Sequence, residues 1–212
     1  MRFFFHHLYH SLAWSYDLVA WSVSLGKWDT WVASVLPFVT GPYVLELGHG
    51  PGHLQVLLRK RGYCAIGLDE SAQMGRLARR TLRRSEPADM VCLVRGLAGA
   101  IPLPGQAVDT VVATFPSEYI GQMDTLAEIH RTLKPDGRLV VLISSQFTGN
   151  GLLPRLARLL FQVTGQSPAP EGLLPLVENR LQATGFRGQF HQVAAGPDSH
   201  VLIVVAQKTL AG

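Results

Sequence analysis

Charge is scarce in this sequence. Lys, Arg, Asp and Glu make up 16% of its 212 residues, against about a quarter in an ordinary soluble domain, while 47% are hydrophobic. Apolar as it is, the chain has no uninterrupted apolar stretch of the roughly 20 residues a bilayer-spanning helix needs. Met1 to Phe5 start like a signal peptide, but His6, His7 and His10 break the apolar segment and no cleavage site follows. A cytoplasmic protein is expected, with contact at a membrane surface left open. Cysteine is nearly absent. Cys64 and Cys92 fall in strands expected to be buried, which reads as core thiols in a reducing compartment and excludes a disulfide framework. No acids or thiols surround the three early histidines, so a terminus or acceptor lid is expected there and no metal site. Internal repeats and low-complexity linkers are missing too, leaving residues 1–212 as one domain with a sizeable core.

What is present concentrates in Val44 to Gln55, VLELGHGPGHLQ. A short β-type apolar run ends in Glu46, glycines follow at 48, 50 and 52, and a helical pattern begins with Leu54, Leu57 and Leu58. Glycines let the backbone turn sharply and let a ligand approach with no Cβ in the way. The helix N-terminus behind them offers free N–H groups to an anionic ligand group. A dinucleotide fingerprint, G-x-G-x-x-G/A, would take Gly48 and Gly50 as its first two positions, but its third would fall on His53, where close packing wants no side chain. Glu46, two residues before the first glycine, is also foreign to that fingerprint.

Downstream, Ala65 to Leu68 reads as a second strand ending in Asp69-Glu70, and Met90 to Val94 as a third, leading to Arg95-Gly96-Leu97-Ala98 and then Ile101-Pro102-Leu103-Pro104. Val108 to Phe115 reads as a fourth strand. A helix from Leu126 ends in a Pro135-Asp136-Gly137 turn into a fifth. E-x-G-x-G-x-G resembles the first motif of class I methyltransferases that use S-adenosylmethionine (SAM). The later segments are similar to that family's "GDA…LP", "FDxVxxxF" and "EixRvLkPgG" over roughly Tyr43 to Leu142. The resemblance implies a Rossmann-like α/β fold: a doubly wound seven-stranded sheet, mostly parallel with an antiparallel last strand, under a helical N-terminal cap. Its expected parts are a cap over 1–40, a SAM-binding core over 41–145, an insertion or lid over 146–170, and a C-terminal helix and hairpin over 171–212. In that hairpin Phe186 to Ala194 and Val201 to Gln207 are joined by Gly196-Pro197-Asp198.

The resemblance also implies roles. Glu46 with Gly48, His49 and Gly50 serves the methionine end, and Asp69 and Glu70 the ribose. Met74, Gly96, Leu97 and Ala98 flank the adenine, and Phe115 borders the same cofactor. The family's acid before the Ala of "GDA", which bonds the adenine amino group, is Leu97 here, so the polar anchor is missing. S-adenosylhomocysteine (SAH) is the implied product. Ser15-Tyr16-Asp17-Leu18-Val19 with Ser24 to Trp28 resembles the leader of quinone and phospholipid methyltransferases, where a tyrosine lies over the cofactor. Tyr16 is thus a candidate lid and catalytic residue, or an ordinary packed aromatic.

Methyl transfer from a sulfonium is an in-line displacement that needs mainly alignment and exclusion of water. No obvious acid–base constellation is required, and none is found. After the fourth strand, Thr114-Phe115-Pro116-Ser117-Glu118-Tyr119 lacks the Asn/Asp-Pro-Pro-aromatic motif of nucleobase amine methyltransferases. Glu118 and Tyr119 stand either at the acceptor mouth, Tyr119 as a second catalytic candidate, or at a helix start. His130 reads as a core-edge histidine beside Met123, Leu126 and Leu133. Met74, Leu77, Ala78, Thr81 and Leu82 form one helix face and Arg76, Arg79, Arg80, Arg83 and Arg84 the other, continued by Arg59-Lys60-Arg61. That basic surface is a solvated face or a contact for an anionic membrane or acidic partner, with nucleic acid least favoured because no aromatics interleave it. A small, hydrophobic acceptor is expected. A lipid or quinone enzyme at the membrane surface and a non-catalytic SAM-binding partner subunit are the alternatives.

Overall fold

In the computed structural model, residues 26–85, 92–148 and 173–209 are described. Tyr16, the early histidines and nearly all of the expected insertion lie outside them. Seven strands form one sheet in the order β3-β2-β1-β4-β5-β7-β6. They are β1 (Tyr43–Leu47), β2 (Cys64–Asp69), β3 (Cys92–Arg95), β4 (Val108–Thr114), β5 (Leu133–Phe147), β6 (Phe186–Ala194) and β7 (Ser199–Lys208). Among the described residues five α-helices accompany them: α1 (Trp28–Ala33), α2 (His53–Lys60), α3 (Ala72–Ser85), α4 (Met123–Thr132) and α5 (Leu173–Ala183). The first five strands pair in parallel. β7 runs antiparallel to both β5 and β6, between which it is inserted. This is the expected doubly wound α/β sheet with its antiparallel last strand.

The central strands are apolar along their length because both faces are covered. Side-chain alternation sends Val44 of β1 and Val112 of β4 into a core shared with Trp31, Val32, Leu54 and Leu58 of α1 and α2. Leu45, Leu47, Val111 and Ala113 enter the opposite core with Leu126, Ile129 and Leu181 of α4 and α5. Glu46 shares the pleat of Val44 and therefore points under α2. Strand order reverses between β1 and β4, and the crevice beyond their carboxyl ends is where open α/β sheets bind ligands.

Helix α3 keeps the expected division. Met74, Ala78 and Leu82 recur at every fourth position and are buried, whereas Arg76, Arg79, Arg80, Arg83 and Arg84 are exposed. Its start is fixed by the Ser71 hydroxyl, which accepts the Met74 N–H at 3.3 Å, as an N-cap does.

Three expectations are corrected. Cys64 and Cys92 are exposed, not core thiols, because each opens its strand before the covering helices reach it. Helix α4 begins at Met123 and ends at Thr132, since Leu133 already pairs with Val108. Met123, expected on the buried face, is 51% exposed. His130 does sit at the core edge, its ring 5.3 Å from that of Phe186. Among the described residues no helix is long and apolar enough to cross a membrane.

Candidate cofactor site

The glycine loop is tied to β2 before any ligand is considered. The Gly48 N–H donates to the Leu68 carbonyl at 2.8 Å, and the Gly50 N–H donates to Asp69 Oδ2 at 2.9 Å. The other carboxylate oxygen of Asp69 accepts the Ser71 N–H at 2.8 Å. Asp69 thus stands at the crevice as an oriented carboxylate, half-buried, with lone pairs left for hydroxyl donors. Gly96, at the end of β3, donates its N–H to the Asp69 carbonyl at 3.1 Å and brings the third strand end to the same place.

Two glycines are obligatory for different reasons. Gly48 has φ +67°, and a Cβ on it would stand 2.8 Å from the Tyr119 hydroxyl. Gly50 has φ +50° and a Cβ there would meet nothing within 4 Å. Strain, not crowding, keeps it glycine, and the space in front of it is open to a ligand. His49 between them is buried. Its ring turns toward the sheet, with Nδ1 2.8 Å from the Gly50 carbonyl oxygen and its edge against Gly67.

Beneath the loop lies Glu46, 2% exposed. It accepts a hydrogen bond from Gln55 Nε2 of α2 at 2.8 Å. Burial pushes its carboxyl up to about 8; the Gln55 bond opposes this and the Asp69 charge adds to it. Gln55 is itself fully buried, and its Oε1 has no hydrogen-bond partner. Sequence reasoning missed Gln55. The available signal was an amide inside an otherwise apolar helix face beside Leu54 and Leu58.

Tyr119 lies in a 3-10 turn, Glu118–Gly121, and donates its hydroxyl to the Leu47 carbonyl at 3.3 Å. Burial first, then the charges of Asp69, Glu46 and Glu70, raises its phenol well beyond the ordinary range, so it stays neutral. Glu118 opens the same turn and is exposed.

The remaining predicted residues divide. Met74 is buried on the first turn of α3 and Ala98 is half-buried, whereas Leu97 is 59% exposed. Glu70 is exposed, its carbonyl accepting from Arg95 Nε at 2.9 Å. Phe115, the residue after β4, has φ +48°, a strained value for an aromatic residue. Its ring stacks on Trp28 of α1 at 4.9 Å. Behind that pair Trp31 packs edge-on against Phe147 at 5.3 Å, and its indole N–H donates to Ser199 Oγ at 3.0 Å. One end of the crevice is therefore polar and backbone-lined and the other aromatic. Among the described residues no cluster of His, Cys, Asp or Glu could hold a metal.

Known proteins resemble this chain in sequence and in fold. Residues 44–137 match the family described as a methyltransferase domain. The demethylmenaquinone methyltransferase of Lactiplantibacillus plantarum is 33% identical over 146 residues, 66% of this chain and 62% of the relative. That of Symbiobacterium thermophilum is 30% identical over 147 residues, 66% of this chain and 58% of the relative. The chain thus spans about three-fifths of the length of these curated relatives. Among solved structures, a Methanococcus maripaludis protein assigned to the SAM-dependent methyltransferases superposes with TM-score 0.69 at 18% identity, covering 94% of this chain and 93% of that one. The geranyl diphosphate C-methyltransferase of Streptomyces coelicolor gives 0.60 at 16% identity, covering 80% and 74%. These two likenesses concern the fold.

Proposed function

Because this chain carries a class I SAM-dependent methyltransferase domain, we propose that it transfers a methyl group from SAM to a small hydrophobic acceptor. The observation that carries this reading is the glycine loop at the strand-order reversal, with Glu46 beneath it, Asp69 fixed beside it and open space before Gly50. SAM supplies a methyl already activated on a sulfonium. The N–H groups of the first turn of α2 and Glu46 receive the zwitterionic methionine end, Asp69 takes the ribose hydroxyls, and Met74, Gly96, Leu97 and Ala98 border the adenine. Leu97, exposed and apolar, offers the adenine contact area but no hydrogen bond.

The protein's own catalytic work is alignment and drying. Tyr119, held neutral, is a hydrogen-bond donor and not a base at physiological pH. The Trp28–Phe115 stack forms the apolar boundary toward the acceptor. Two relatives named demethylmenaquinone methyltransferase support a hydrophobic, ring-bearing acceptor. The test is isothermal titration with SAM and SAH, followed by methyl transfer from labelled SAM to a panel of demethylated quinols and lipid acceptors. Heat with both ligands and label in an organic-extractable product are expected. Absence of heat with either overturns the cofactor site; binding without transfer to any acceptor supports a non-catalytic SAM-binding subunit instead.

A second reading concerns location. Among the described residues, none of the five α3 arginines pairs with an acid, and the helix contains no Asp or Glu. Such a face suits an anionic bilayer that also stores a hydrophobic acceptor. Sedimentation with phosphatidylglycerol vesicles, reversed by salt and lost in an Arg79→Gln, Arg80→Gln, Arg83→Gln triple variant, is expected. No sedimentation at low salt overturns it.

A further inference from the structure

Glu46 and Gln55 pose a problem in hydrogen bonding. Both are enclosed, at 2% and 0% exposure. One N–H of the amide serves the carboxyl, while the amide oxygen has nothing to accept. An unsatisfied buried acceptor is destabilising. A carboxylate cannot relieve it, having no proton to give. A carboxylic acid can. Its O–H donates to the amide oxygen while its carbonyl keeps the amide N–H, and the two groups close into a cyclic pair with every enclosed atom served.

The groups that face this pair favour the acid form. From β2 comes the Asp69 carboxylate, and from the 3-10 turn after β4 the neutral Tyr119 hydroxyl, with Glu70 close enough to act on Tyr119. All charge in that set is negative. Burial, partly opposed by the Gln55 bond, holds the Glu46 carboxyl at about 8. Among the described residues no cation acts on the pair.

We propose that Glu46 and Gln55 hold one proton in the free protein and release it when the ammonium group of the methionine end binds, with Gln55 as the positioning residue. The inference rests on the cofactor site proposed above. On release the Glu46 O–H proton passes to solvent, the carboxylate pairs with the incoming ammonium, and Gln55 keeps its N–H bond to the anion. The single bond and the idle amide oxygen are the hydrogen-bonding state of the ionised pair. Glu46 therefore works as a charge gained on binding, unlike a permanent anion that would attract any cation to the crevice.

Titration of the wild-type protein with SAH at pH 7, in phosphate and in Tris, reads the proton directly. About one proton released per SAH is expected, falling to none above about pH 9. Affinity should tighten about tenfold per pH unit up to about 8 and then level. 5′-Methylthioadenosine, which lacks the amino-acid end, should bind with no release. Glu46→Gln should bind SAH with no release and a flat pH profile. Gln55→Leu removes the amide donor that favours the carboxylate, so its affinity should be lost at pH 7 and recovered at higher pH than in the wild type. Infrared spectra add a readout on unaltered protein: a protonated-carboxyl band present at pH 7 and lost on adding SAH. SAH binding without proton release, or equal release with methylthioadenosine, overturns the proposal. Failure of SAH and SAM to bind at all overturns the cofactor reading beneath it.

Discussion

The two ends of the crevice are built by different chemistry. At the ends of β1 and β2 the parts are backbone N–H groups, two carboxyl groups and one amide, joined by bonds of 2.8 to 2.9 Å. At the end of β4 the parts are rings, with Phe115 stacked on Trp28 and Trp31 behind. The first end constrains a ligand by direction, since N–H groups and carboxylates accept little angular error. The second constrains it by shape and dryness. The proposed methyl transfer needs both: the donor is always the same molecule and suits fixed hydrogen-bonding groups, whereas the acceptor is chosen by fit.

The sharpest way to break this contrast is Gly48→Val. It forces a β-branched residue to φ +67°, a strain of about 1–3 kcal/mol, and adds a clash with the Tyr119 hydroxyl. SAH affinity should fall more than about a hundredfold, with a lower melting temperature. Asp69→Ala comes next. It frees the Gly50 and Ser71 N–H groups together, and loss of charged hydrogen bonds worth about 1.5–3 kcal/mol should weaken SAH by roughly 10- to 100-fold in calorimetry. Trp28→Ala tests the other end. SAH binding should stay within about twofold while acceptor kcat/KM drops about tenfold, the effect of an aromatic contact of roughly 1.5 kcal/mol; equal losses for both ligands would erase the distinction. The last test reads stability and not ligand binding.

The folded protein holds the Glu46 proton more tightly than the unfolded chain does. Stability should therefore fall as pH rises from about 4.5 to about 8 and level above that. In Glu46→Gln, thermal melts across that window should lose this slope.

The same contrast explains what could be read from the sequence. Glu46, Gly48, Gly50 and Asp69 work through backbone turns and strand ends, which leave a fixed spacing. Gly196-Pro197-Asp198 marked the final hairpin for the same reason, as a turn demands particular residues. Trp31 and Ser199 give no such sign, since their 3.0 Å bond joins residues far apart in sequence and no local rule links them. The strained backbone of Phe115 is equally invisible, for nothing in Thr114-Phe115-Pro116 requires a positive φ. Cys64 and Cys92 misled because apolar pattern gives burial along a strand but not at its first residue. Gln55 could be seen as an amide on an apolar face, yet only the pleat of β1 shows that it meets Glu46.

The placement of β7 has a consequence for how the protein is made. The last strand of the described chain is flanked on both sides, by β5 and β6. During synthesis the sheet can therefore be complete only as far as β5, whose outer edge stays open with its N–H and C=O groups unpaired. Val140, Val141 and Leu142 lie along that edge and pair with Val205, Val204 and Ile203. The nascent chain thus carries an adhesive apolar strand until β7 leaves the ribosome. The sheet cannot close before then, and chaperone demand should be greatest between the emergence of β5 and that of β7.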